Sequence, residues 1–197
     1  MEKLTVENAN KLLITHMQNQ NLRRHCYAVG KTLSAFYDLY KNQNREIGSL
    51  SKEQWETIGI LHDADWEETK DVPEKHTVLT LEWFKEYDVP EEMVNVIKSH
   101  NNKMTHLREP ETLLEWTLEC VDELTGFIVA VTLVLPSKKL EDVKPESVLK
   151  KFKQKEFAKA VDRSQMEQCE EKIQVDINTL VETTLKAMQE NHELLGL

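Results

Sequence analysis

Val121-Asp122-Glu123-Leu124-Thr125-Gly126-Phe127-Ile128-Val129-Ala130-Val131-Thr132-Leu133-Val134-Leu135 contains the longest uncharged apolar run of the chain, the twelve residues from Leu124 to Leu135. At 1.5 Å per helical residue that run spans roughly 18 Å, against a bilayer core of ~30 Å. It predicts a buried helix, not a membrane span, and Pro136 stops it. Asp122 opens this predicted helix, just ahead of Leu124, Phe127 and Ile128. A carboxylate beside such a run is costly to bury unless it is paired or coordinated. Asp122 is therefore either a helix N-cap or a ligand.

The rest of the chain is helical by the same kind of reading. Gly and Pro number five each in 197 residues, well under the average usage of about 12%. Both residues punctuate helices and make turns, so their scarcity argues against collagen, low-complexity disorder and turn-rich β-sandwiches. Apolar residues at three- and four-residue spacing predict helices at about Val6–Asn19 and Asn21–Tyr40, the latter carrying Cys26, Val29, Leu33, Phe36 and Tyr37. Ser51 and Gln54 form a capping-box signature ahead of Trp55, Ile58 and Leu61. Further helices are predicted at Glu74–Tyr87, from Val89-Pro90 to His100, and from Pro110 to Cys120. The last third adds Pro145–Lys151, Gln154–Ala160, Ser164–Lys172 and Val175–Asn191. No segment shows the period-two alternation of a strand. The expectation is one all-α domain over residues 1–197, with about nine or ten helices.

Charge and cysteine usage limit the function classes. The formal net charge is −10 and 30% of residues are charged. Phosphate repels so acidic a protein, which excludes general nucleic-acid binding and leaves any anion to a local cation cluster or a metal ion. Cys26, Cys120 and Cys169 are odd in number, widely spaced and free of any CxxC pattern. Neither a zinc ribbon nor a disulfide framework is indicated, and a reduced, cytoplasmic setting is expected. The N-terminus shows no signal-peptide apolar region.

Seven histidines carry the chemical interest. His62 is followed directly by Asp63 at the end of the Trp55–Leu61 helix. Imidazole and carboxylate are the usual ligands of a divalent transition ion where thiolates are absent. His25 lies beside Cys26 and Val29 on the inner side of its helix, as a ligand or as a satisfied core histidine. His16, His106 and His192 lack such context and read as surface residues.

The order His25 … His62-Asp63 … Asp122 resembles the HD superfamily of metal-dependent phosphohydrolases. The aliphatic lead-in Gly59-Ile60-Leu61-His62-Asp63 and the segment Asn21-Leu22-Arg23-Arg24-His25-Cys26-Tyr27-Ala28-Val29 carry the resemblance. It covers a metal-site core of about residues 21–135, with 136–197 as a C-terminal helical extension. Asp122-Glu123-Leu124-Thr125-Gly126 and Pro136-Ser137-Lys138-Lys139-Leu140 are similar to a narrower, mostly bacterial HDIG-type group of hydrolases. The resemblance implies an HD-type helical bundle and a divalent ion (Mn, Fe, Co, Ni, Zn or Mg) held by His25, His62, Asp63 and Asp122. It also implies water attack on a nucleotide or other small phosphoester. Binuclear relatives add two histidines between the pair and the last Asp, and His76 and His100 fit that role, giving one or two ions per chain. In those relatives a second His often follows the one matching His100, where this chain has Asn101.

Asp65 and Glu67, just past the pair, are candidate general acids or bases. Each reads equally as part of a solvated acidic turn. Trp66 reads either as a stacking partner for a base or as a surface anchor. From Ser137 to Lys159 eight lysines face four acids. Lys138 and Lys139 are the best placed of these to guide a phosphorylated substrate, and Arg163 is a weaker candidate. Two other functions compete: a di-iron HD-fold oxygenase, which needs His76 and His100, and a non-catalytic module that keeps a metal for structure.

Overall fold

The computed structural model describes residues Met1–Leu197. The fold is all-α. The helices are α1 (Val6–His16), α2 (Gln20–Asn42), α3 (Lys52–Leu61), α4 (Trp66–Thr69), α5 (Val78–Phe84), α6 (Glu91–His100), α7 (Asn102–Thr105) and α8 (Leu113–Leu133). They continue with α9 (Pro145–Phe152), α10 (Arg163–Glu167), α11 (Cys169–Ile173), α12 (Ile177–Gln189) and α13 (His192–Leu195). Five of these thirteen are no longer than five residues, so the long helices are close to the number expected. One cluster of 41 buried residues runs from Leu4 to Leu195 and unites them.

Helix α2 is the backbone of the structure. Asn19 caps it by accepting from the Asn21 and Leu22 amides, and Cys26, Val29, Leu33, Phe36 and Tyr40 bury one stripe. Helix α3 starts at the expected Ser51–Gln54 capping box. The two helices meet backbone to backbone at Gly30 and Gly59. A Cβ on Gly59 would stand 2.5 Å from the Gly30 Cα, so no larger residue fits without prising the helices apart. That close crossing sets the spacing between His25 and His62.

Helix α8 departs from the sequence reading. Two helices were expected, Pro110–Cys120 and Val121–Leu135, but one continuous helix runs from Leu113 to Leu133. Thr112 and Glu115 form a capping box that places the start past Pro110, and nothing at Cys120-Val121 breaks the helix. Asp122 therefore lies in mid-helix. The N-cap reading fails, because amides in mid-helix are already paired within the helix.

Four smaller departures have local causes. The segment expected as Glu74–Tyr87 divides at Thr77, whose φ of 74° is left-handed, into a 3-10 turn (Pro73–Lys75) and α5. Glu2–Lys3 pairs in parallel with Tyr87–Asp88 as two-residue strands β1 and β2, too short for alternation to reveal. Residues 154–160 form turns instead of a helix, with Ala158 at φ 46°. Gln168 divides the expected Ser164–Lys172 helix into α10 and α11. The three cysteines are free and buried. No helix is long and apolar enough to cross a membrane.

Candidate metal centre

Six side chains from five parts of the chain converge beside the α2–α3 crossing. His25 comes from α2, His62 from the C-cap of α3, Asp63 from the turn after it, and His76 from the residue before Thr77. His100 ends α6 and Asp122 sits in mid-α8. They form two groups that could hold metal ions: His25, His62, Asp63 and Asp122, and Asp63, His76 and His100. In each group the donor atoms lie within 4.8 Å of one another.

Asp63 belongs to both groups, with one oxygen facing each. Its Oδ2 lies 3.6 Å from both His25 Nε2 and His62 Nε2. Its Oδ1 lies 3.1 Å from His76 Nε2 and 3.3 Å from His100 Nε2. Asp122 Oδ1 approaches His25 Nε2 at 2.9 Å and His62 Nε2 at 3.3 Å.

The other nitrogen of each ring fixes which one is free. His62 Nδ1 donates to the Gly59 carbonyl at 2.7 Å, and His76 Nδ1 to Asp65 Oδ1 at 2.7 Å. His100 Nδ1 faces Glu119 Oε1 at 3.3 Å. Thr125 Oγ1 donates to the Asp122 carbonyl and so accepts from His25 Nδ1 at 3.2 Å. Each imidazole is thereby oriented through Nδ1, leaving an Nε2 lone pair aimed at the carboxylates. Metal-ligating histidines are held in this way. His62 Nε2 is the clearest case: it is fully buried and has no hydrogen-bond partner. A buried lone pair facing carboxylate oxygens lacks only a cation, so the residues fit a divalent metal ion.

The electrostatics carry the same demand. Burial disfavours the His25 imidazolium, yet hydrogen bonds and charge from Asp122 and Asp63 outweigh it and push its pKa up to about 10. His76 and His100 are raised against the same burial penalty by Asp63, helped by Asp65 and Glu119 respectively. Burial likewise opposes ionisation of Asp63 and Asp122, but the surrounding histidines hold both well below the usual carboxylate range. Without a metal the cluster satisfies its carboxylates by taking up protons.

The metal groups open onto a cleft of about 370 Å³, lined also by Trp66, Asn101, Lys103, Glu123 and Gln165. Trp66 stands edge-on to His76, with ring centroids 5.0 Å apart. Several sequence candidates lie elsewhere or do other work. Asp65 is fully buried and accepts from His76 Nδ1, the Thr77 amide and the Thr80 amide, so it positions His76 and does not itself line the cleft. Glu67 accepts from the Gln18 and Asn19 amides and ties the α1–α2 connection. Lys138 and Lys139 are exposed and neither lines the cleft. Arg163 is spent on the carbonyls of Phe152, Gln154, Phe157 and Ala158.

The sequence reading missed Glu119, Glu123, Lys103 and Thr125. Glu119 and Thr125 lie three residues either side of Asp122, on the same face of a continuous helix. Once α8 was divided at Cys120, Glu119 fell on a different helix and that signal vanished. Glu123 lines the cleft half-buried, and burial together with the Asp122 charge raises its pKa. Lys103 lines the cleft where Lys138 and Lys139 do not, with its Nζ 3.4 Å from Asp162 Oδ2.

No protein-family model, characterised protein or solved structure matches this chain.

Proposed function

We propose that this chain is a metal-dependent phosphohydrolase of HD type, acting on a nucleotide or other small phosphoester. The supporting observation is the convergence of four oriented Nε2 atoms on two carboxylates, with Asp63 shared between two groups. A divalent ion bound there lowers the pKa of coordinated water and neutralises charge on a phosphoryl oxygen. The imidazole and carboxylate donor set suits Mn, Fe, Co, Ni or Zn. Around it the chain supplies what a phosphate ester needs. Lys103, exposed and 3.4 Å from Asp162, is the lysine that lines the cleft, and Glu123 is a half-buried cleft carboxylate placed beside the ligand group. Asp65 keeps His76 in register, and Trp66 walls the cleft.

Quantifying metal on protein purified without a His-tag column, followed by a phosphoester panel with Mn, Co, Ni and Fe, tests the reading. Turnover that Asp63→Ala abolishes supports it. Absence of turnover across the panel overturns it. The sharing of Asp63 between two groups also favours a second reading, a redox-active di-iron site performing oxygenation. One metal per chain, with content unchanged by His76→Ala, would count against that. Should metal removal lower stability while no activity is found, the metal is structural.

A further inference from the structure

A second cavity, of about 420 Å³, adjoins the metal cleft and shares His25 and Gly126 with it. Its apolar walls are Ala28, Val129, Leu133, Leu195 and Leu197, with Asn21 and Thr125 as polar lining. Besides His25, already assigned to the metal group, one cation lines it. Arg24 is half-buried, its guanidinium lies flat against Gly196, and it makes no ion pair or side-chain hydrogen bond within the protein. Gly196 has a φ of 69°, and a Cβ there would collide with the guanidinium, so the glycine keeps the space that Arg24 occupies.

Gly126 stands at the junction of the two cavities. It lies inside α8, where Gly is less favourable than Ala by about 0.5–1 kcal/mol. Its φ is not left-handed, and an added Cβ would meet nothing within 4 Å. Neither backbone conformation nor packing calls for a glycine. Gly126 is exposed and lines both cavities, so a side chain there would project where the two adjoin.

From this geometry we infer that the second cavity receives the organic group of the substrate. That group has an apolar body against Val129, Leu133 and Leu195 and an anionic acceptor for Arg24. Gly126 is the residue that admits it, and the substrate class is a phosphoester whose organic part carries a carboxylate or second anionic group. This rests on the phosphohydrolase reading for the phosphate end only.

Binding of non-hydrolysable phosphonates to metal-loaded protein, measured by calorimetry, tests it. Methylphosphonate reaches only the metal end, whereas para-carboxybenzylphosphonate reaches both. The wild type should bind the larger probe more than about tenfold tighter, a plausible gain from burying an aromatic ring. Gly126→Leu should remove that advantage, weakening the larger probe far more than methylphosphonate, with metal content unchanged. Because the position is open and Leu favours helix, this variant should melt no lower than the wild type. Arg24→Gln should lose the preference for the carboxylated probe over benzylphosphonate. Equal affinity for large and small probes, or equal weakening of both by Gly126→Leu, overturns the inference. If methylphosphonate fails to bind at all, it is the phosphohydrolase reading that fails. The cavity is then read with para-toluate, which lacks the phosphonate. Amide NMR shifts at Gly126 and Val129 that Arg24→Gln abolishes support the cavity's role, and their absence overturns it.

Discussion

The two halves of the candidate metal cluster are built by different means. His25, His62 and Asp122 stand on α2, α3 and α8, helices fixed by buried packing and by the Gly30–Gly59 contact. His76 stands on a single extended residue between a 3-10 turn and α5, next to the left-handed Thr77. Polar bonds hold it: Asp65 grips its Nδ1, and Asn101 Nδ2 donates to the Pro73 and His76 carbonyls at 2.8 and 3.1 Å. The first half depends on helix packing, as does His100 at the end of α6, whereas the presentation of His76 can be loosened by removing one hydrogen bond. Asp63, whose oxygens serve one half each, joins them.

The largest effect follows from that joint. Asp63→Asn should abolish both halves, because each loses its shared charged oxygen. Metal content should fall to background, where Asp122→Asn should empty only the half containing His25 and His62. The expected affinity loss exceeds the 10–100-fold typical of groups that merely support a ligand. Equal metal content in the two variants would break the two-half description.

Gly59→Ala attacks the packing half through stability. The added Cβ meets the Gly30 Cα, N and neighbouring carbonyl carbon, all backbone atoms that cannot step aside. A loss of roughly 1–3 kcal/mol or more is expected from such overpacking, read by chemical denaturation of the metal-free protein. Asp65→Asn attacks the polar half instead. It should weaken metal at the His76 side by about 10–100-fold while leaving the other half occupied.

Titration distinguishes protons from metal in the same cluster. In metal-free protein the pKa of His25 is raised to about 10. The stability it contributes is fully present below the ordinary histidine value, about 6.5, and is lost as pH rises through about 10. The melting temperature of the metal-free protein should therefore fall between neutral and alkaline pH. Metal-loaded protein should not show that fall, and loading at neutral pH should release protons. Identical pH profiles with and without metal would show that the cluster does not exchange one kind of cation for the other.

The packing half was the more legible of the two in sequence. Helical spacing gave α2, the capping box gave α3, and together they set the crossing that brings His25 and His62 within 5.2 Å, ring centre to ring centre. Legibility ended at element boundaries and at long-range contacts. The Thr112–Glu115 capping box, not Pro110, starts α8, and the helix runs on through Cys120-Val121 without a break. Dividing the helix at Cys120 hid Glu119 and turned Asp122 into a capping candidate. Asp65 and Glu67 look alike as acids after a His-Asp pair. One is buried under His76 and the other ties a loop on the far side of α4, and only tertiary structure separates them. Lysine density drew attention to Ser137–Lys159, yet it is the isolated Lys103 that reaches the cleft.

Asn101 gives the smallest effect and the finest test. The resemblance drawn from the sequence would place another histidine at this position, where the chain has Asn101. In the structure its amide instead clamps the turn that presents His76, through the Pro73 and His76 carbonyls. Asn101→Ala should cost about 1–3 kcal/mol from the two partly buried acceptors left unpaired. It should also lower metal affinity at the His76 half severalfold, with the other half unchanged. Asn101→His should not strengthen that half, because an imidazole cannot replace both donated bonds from one amide nitrogen. Stepwise metal titration of the three proteins reads the outcome. Tighter binding in Asn101→His would mean that a ligand position, not a clamp, is what this residue occupies.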